Sequence, residues 1–266
     1  MPKIQANGVE LYYELHGADD APLLVLNNGI IMNAAGSWVF QTQELSRHYR
    51  VLQYDCRGQG QSEHPDEAYT MELHADDLAA LLTALGYDAA HIAGISYGGE
   101  VGQAFELKYP QRCLSLILAD TVSEVGAELR IIIDSWLSAA RAGDAEAFFN
   151  TTVPWNFSPE FVIANPKLLA DARGRYELLD YPAIVRLSEC FLEVDFTDRL
   201  DEIKCPTCII VGSVDLLKGP AYAAILKDGI PHAEFHLLHG SGHASCWERP
   251  QEFNTIVLGF LAKYAS

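Results

Sequence analysis

The sequence predicts an α/β fold: a mostly parallel central sheet flanked by helices, with a helical cap inserted near the middle of the chain. Three observations predict it. Short continuous apolar runs recur along the chain, as expected of strands buried on both faces. Segments with apolar residues at helical spacing lie between them, and that alternation indicates a parallel sheet with both faces covered. One stretch, 123–195, breaks the rhythm: its pattern is helical and it holds no convincing buried strand.

The elements follow in order. Residues 2–15 read as two short strands around the hairpin-type turn Ala6-Asn7-Gly8. Apolar runs at 22–26, 50–54, 91–95, 114–118, 208–211 and 233–238 supply the remaining strands. A stripe of Leu73, Leu78, Leu81, Leu82 and Leu85 makes 70–85 a helix that ends at Gly86. Residues 97–109 form a second helix that stops before Pro110, and 250–264 an amphipathic one with Pro250 near its start. The core is thus expected over 1–122 and 196–266 and the cap over 123–195. The cap's aromatics, Trp136, Phe148, Phe149, Trp155, Phe157 and Phe161, are expected mostly to pack on one another, with a few lining a pocket. Trp136 and Trp155 are the candidates, joined by Trp247 from the core.

A chain of 266 residues suits one large domain with a sizeable core. Its formal net charge of −18 repels phosphate backbones and argues against nucleic-acid binding. No charged leader precedes an apolar run, and no apolar stretch reaches the roughly 18–20 residues a membrane span needs. The chain is therefore expected to be cytoplasmic, as a monomer or homodimer. Six scattered cysteines do not make a disulfide framework. Cys205 and Cys208 have redox-motif spacing but lead into a strand instead of opening a helix, so a structural role is expected.

Chemistry concentrates in three places. Gly94-Ile95-Ser96-Tyr97-Gly98-Gly99 sits where an apolar strand ends and a helix begins. A strand that reverses sharply into a helix strains the backbone at the serine and lifts its Oγ above the sheet, so Ser96 is the candidate nucleophile. A serine hydroxyl needs a base. His243 lies in the loop His239-Gly240-Ser241-Gly242-His243-Ala244, beyond the last strand, and imidazole is the side chain whose intrinsic chemistry suits proton transfer near neutral pH. Four histidines occur between 232 and 243, but alternation on an extended segment points His236 and His239 to opposite faces, which disfavours a metal site. Asp215, just past the run 208–211, is the candidate acid that orients the base; Asp120, after 114–118, is the runner-up. The oxyanion donors are expected to be the backbone N–H groups of Tyr97 and of Ile30, in the loop Asn27-Asn28-Gly29-Ile30-Ile31. Asn28 and Gly29 are expected to shape the pocket beside them. No metal or organic cofactor is implied. The turn from Asp55 to Ser62 reads as a scaffold with local hydrogen bonds; it lacks the lysine and the helix start of a phosphate loop.

Taken together, the elbow at 94–99, the turn Asp55-Cys56-Arg57-Gly58-Gln59-Gly60-Gln61-Ser62, the segment Val211-Gly212-Ser213-Val214-Asp215 and Gly242-His243 ahead of Glu248-Arg249-Pro250 closely resemble the α/β-hydrolase superfamily. Its carboxylesterase, enol-lactonase and aminoacrylate-hydrolase-like members are the nearest in look. The resemblance implies a serine hydrolase that cleaves a small ester, lactone or thioester through an acyl-enzyme. One departure stands out: most members carry His-Gly where this chain has Asn28-Gly29. That dipeptide is also similar to acyltransferases that move 3-hydroxyacyl groups from a carrier, so acyl transfer stays open beside hydrolysis. A slow-turnover ligand receptor on the same scaffold is the third reading.

Overall fold

The structure, a computed structural model, describes residues 2–264. Eight strands form one sheet: β1 (Lys3–Ala6), β2 (Val9–His16), β3 (Leu23–Asn27), β4 (Arg50–Tyr54), β5 (Ala90–Ile95), β6 (Cys113–Ala119), β7 (Thr207–Gly212) and β8 (Glu234–Leu238). Their spatial order is β1-β2-β4-β3-β5-β6-β7-β8. The β1–β2 and β2–β4 pairs are antiparallel and the rest are parallel. Asn7 and Gly8, both at positive φ, make the β1–β2 turn.

The continuous apolar runs become intelligible once the faces are separated. Side chains alternate along a strand, so each central strand feeds two cores. Val25, Ile92, Leu116, Leu118, Ile209 and Val211 face one cluster. Leu24, Leu26, Ala93, Ile117, Ala119, Cys208 and Ile210 face the other. Helices α3 (Met71–Ala84), α4 (Tyr97–Lys108) and α10 (Pro220–Gly229) contribute to the first core. The second is covered by α11 (Pro250–Leu261), through Phe253, Val257 and Phe260, and by Trp38 between the short turns α1 (Ala34–Ser37) and α2 (Thr42–Leu45). Cys205 and Cys208 are buried where β7 begins, as their apolar surroundings led one to expect.

Between β6 and β7 the chain forms five α-helices, α5 (Ala127–Ala142), α6 (Ala145–Asn156), α7 (Pro159–Ala164), α8 (Pro166–Tyr176) and α9 (Tyr181–Leu192), followed by a short 3-10 helix at Thr197–Glu202. Local signals cut them apart. Gly143 takes a left-handed conformation after α5, and the side chains of Asp144, Ser158 and Asp180 cap α6, α7 and α9. Prolines at the first turns of α7, α8 and α9 remove N–H groups that would lack partners there. A bridge between Glu124 and Asp195 closes the stem of the insertion. Among the described residues no helix is long and apolar enough to cross a membrane.

Parallel register brings the C-terminal ends of the central strands to one edge: Asn27 pairs with Gly94, Ile95 with Ala119, Ala119 with Ile210, and Gly212 with Leu238. Every loop in which the sequence placed chemistry leaves the sheet there, at the end where open parallel sheets place their ligands.

Candidate active site

Ser96 stands between β5 and α4 at φ +54°, the strained conformation that the strand-to-helix reversal imposes. Small neighbours make the reversal possible. A Cβ on Gly94 would lie 2.0 Å from the Gly98 carbonyl oxygen, and one on Gly98 would lie 2.2 Å from that of Asn27. The Ser96 side chain opens into a cavity of about 590 Å³, a volume suited to a small-molecule ligand.

His243 and Asp215 reach that edge from two other loops. His243 Nδ1 lies 2.9 Å from Asp215 Oδ2, with both side chains almost wholly buried. The other carboxylate oxygen of Asp215 accepts from the backbone N–H groups of Leu217 and Lys218, at 2.8 and 3.0 Å. Those two bonds fix which oxygen faces the imidazole. His243 lines the same cavity as Ser96.

Asp120, the runner-up, has a different environment. Its Oδ1 accepts from Gly212 N at 2.9 Å and its Oδ2 from Ser245 N at 3.2 Å. It therefore ties the end of β7 to the loop that carries the histidine. Burial, and then the charge of Asp215, push its carboxyl above the ordinary range.

The candidate oxyanion donors come from the residue that follows Ser96 and from the loop after β3, whose Ile30 lines the cavity with Ser96. Gly29 lies close enough that a Cβ there would be 3.9 Å from Ser96 Cβ. Neither the Tyr97 nor the Ile30 N–H donates to a protein acceptor among the described residues. The 55–62 turn supports this loop: Gln59 Nε2 donates to the carbonyls of Gly29 and Ile30, at 3.0 and 3.3 Å, and Asp55 accepts from Ala34 N and Gln61 N. The bonds of this turn are thus only partly local: Asp55 reaches the loop after β3 at Ala34, and Arg57 reaches Asp77 on α3 at 2.7 Å.

Of the expected pocket residues, Gly29, Trp136 and Trp247 line the cavity. Trp136 is oriented by its Nε1 donating to Thr151 O at 3.0 Å, and Trp247 by the same group donating to Ser37 O at 3.1 Å. Two expectations are corrected. Asn28 does not line the cavity: at the end of β3 its amide turns inward and donates to Tyr54 O at 2.7 Å. The asparagine that resembled an acyltransferase feature is thus a fully buried contact between the end of β3 and the end of β4. Trp155 does not line it either; it packs half-buried against the main core. The cap wall is made instead by side chains that helical spacing did not distinguish, among them Phe157, Leu168, Tyr176, Ile184 and Leu187. Polar groups at His64, Arg175 and Asp180 also line it.

The fold and this edge define a class. A family model described as the alpha/beta hydrolase fold matches residues 22–154. The chain is 31% identical to the candidate carbamate hydrolase RutD of Stutzerimonas stutzeri (strain A1501), over 95% of this chain and 97% of that protein. It is 29% identical to 3-oxoadipate enol-lactonase 1 of Acinetobacter baylyi, over 96% and 94% of the two chains. The crystal structure of the enol-lactonase from Burkholderia xenovorans LB400 superposes with a TM-score of 0.92 at 30% identity, over 98% of this chain and 100% of that one. The protein belongs to the α/β-hydrolase family and is a hydrolase.

Proposed function

We propose that the protein is a serine hydrolase that cleaves the carbonyl–oxygen or carbonyl–sulfur bond of a small carboxylic ester, lactone or thioester. The observation that carries this reading is the 2.9 Å His243–Asp215 contact at the wall of the cavity into which the strained Ser96 opens. Ser96 Oγ attacks the acyl carbon while His243 Nε2 takes its proton. Asp215 holds the imidazole in the tautomer that leaves Nε2 free, and stabilises the imidazolium that forms. The N–H groups of Tyr97 and Ile30 receive the negative charge that develops on the carbonyl oxygen. His243 then protonates the leaving group, and water, deprotonated by the same imidazole, releases the acid. No step needs a metal or organic cofactor. The lactone substrate named for the enol-lactonases supports bond cleavage of this kind.

A series of nitrophenyl esters of rising acyl length, assayed with the wild type and Ser96→Ala, tests the reading. Activity in the variant should fall at least about 10³-fold, because loss of a triad nucleophile leaves only residual catalysis. Comparable rates in the two proteins would reject it.

A further inference from the structure

A buried ion pair lies behind the acid loop. Lys218 Nζ donates to both carboxylate oxygens of Glu100, at 2.9 and 3.1 Å, and the two side chains are 4% and 0% exposed. Glu100 stands in the first turn of α4, four residues after Ser96. Its Oε1 also accepts from Val122 N at 3.1 Å and from Thr121 Oγ1 at 2.5 Å, and that hydroxyl lies 3.0 Å from the Ser96 carbonyl oxygen. Lys218 in turn belongs to the acid loop, and its own backbone N–H is one of the two donors that hold Asp215 Oδ1. The ring of Phe191, from cap helix α9, covers the ammonium at 4.0 Å.

We propose that the Lys218–Glu100 pair is a positioning device that locks the acid loop to the nucleophile helix and so sets the aim of Asp215 at His243. This rests on the triad reading above. One residue holds the acid's carboxylate with its main chain and the helix of the nucleophile with its side chain. Neither loop can shift without breaking a charge-assisted bond in a dry environment, where such bonds are strong. As a source of stability the pair is a poor choice, since desolvation offsets most of the attraction between buried charges. What it supplies is a fixed distance between the nucleophile helix and the acid loop, which leave the sheet from different strands. Burial holds the Lys218 pKa below its ordinary value even with Glu100 beside it, which marks how completely water is excluded.

Removing one partner leaves a buried charge uncompensated and can prevent folding. The test therefore uses the double variant Glu100→Gln/Lys218→Met, in which both charges go and the Gln oxygen can still accept from Val122 N. Ser96→Ala is assayed in parallel, on a short nitrophenyl ester. The double variant should fold, keep KM within about threefold, and lose kcat by about 10–100-fold, the scale of a small misplacement of catalytic groups. A less well aimed Asp215 stabilises imidazolium less, so the acid limb of its kcat/KM–pH profile should move to lower pH. Wild-type kcat and an unmoved profile would overturn the proposal. So would a double variant that does not fold, because the pair would then be a folding requirement. If Ser96→Ala itself retains the wild-type rate, the triad reading fails and this one falls with it; if that variant is inactive and the double variant is fully active, only the positioning role fails.

Discussion

At Asp215 each carboxylate oxygen has a separate task. Oδ1 is pinned by the N–H groups of Leu217 and Lys218, which leaves Oδ2 for His243. An asparagine would be sorted by the same two donors: its carbonyl oxygen takes the Oδ1 place and its NH₂ group faces the imidazole. Nδ1 must then accept, the proton moves to Nε2, and the base can no longer take a proton from Ser96. Asp215→Asn should therefore fold normally yet lose about 10³–10⁴-fold in kcat, with KM little changed; steady-state kinetics beside a circular-dichroism check read this directly. The three side chains of this constellation were legible in the sequence because the chemistry restricts them to loops at strand ends in a set chain order. Lys218 and Glu100 were not. A buried ion pair between residues 118 apart leaves no local pattern, and a lone lysine after Leu216-Leu217 reads as a solvated side chain.

At the scale of elements, the recurrence of continuous apolar runs between helical stretches pointed to the sheet, because its central strands are buried on both faces; β8, at the edge, leaves Phe235 and Leu237 partly exposed. The cap wall was harder to read. A helical stripe that packs on a neighbour and one that lines a cavity have the same 3.6-residue period, so Trp136 on α5 and Trp155 on α6 looked equivalent, and only the first reaches the cavity. The contact between α3 and α4 yields a pH prediction. His74 on α3 is buried, and its Nε2 lies 2.8 Å from the hydroxyl of Tyr97, the residue after the nucleophile. Burial, helped by the charge of Arg57, lowers the His74 pKa from 6.5 to about 3. The unfolded chain thus binds a proton there that the folded chain refuses. The stabilising contribution is complete above pH 6.5 and is lost as pH falls towards 3. Urea unfolding across that range should show His74→Gln losing stability less steeply than the wild type, and parallel slopes would contradict the assignment.

Across the whole molecule, the insertion is tied down on both sides of the cavity. On one side His64 meets Asp180 at 2.6 Å, and Arg186 meets Asp66 at 2.9 Å. On the other, the loop that carries His243 is stitched to the cap: Ala244 N donates to Asn156 O at 2.9 Å, and Glu248 accepts from Ser158 N and Oγ at 2.9 and 2.6 Å. Ser158 also caps α7, where Phe157 and Phe161 stack at 4.9 Å, and Phe157 lines the cavity. Glu248 consequently holds a helix start, a cavity wall and the histidine loop in one place. Glu248→Ala removes two bonds to a carboxylate and should lower the unfolding free energy by about 1–3 kcal/mol in urea titrations. Its more telling effect is local. Amide hydrogen exchange should quicken over 157–164 while β5 and β6 keep their protection. KM should rise more for long acyl esters, which reach the loosened wall, than for an acetyl ester, which does not. Unchanged exchange over 157–164 would mean that apolar contacts alone dock this corner of the cap, leaving Glu248 only the role of a surface acceptor.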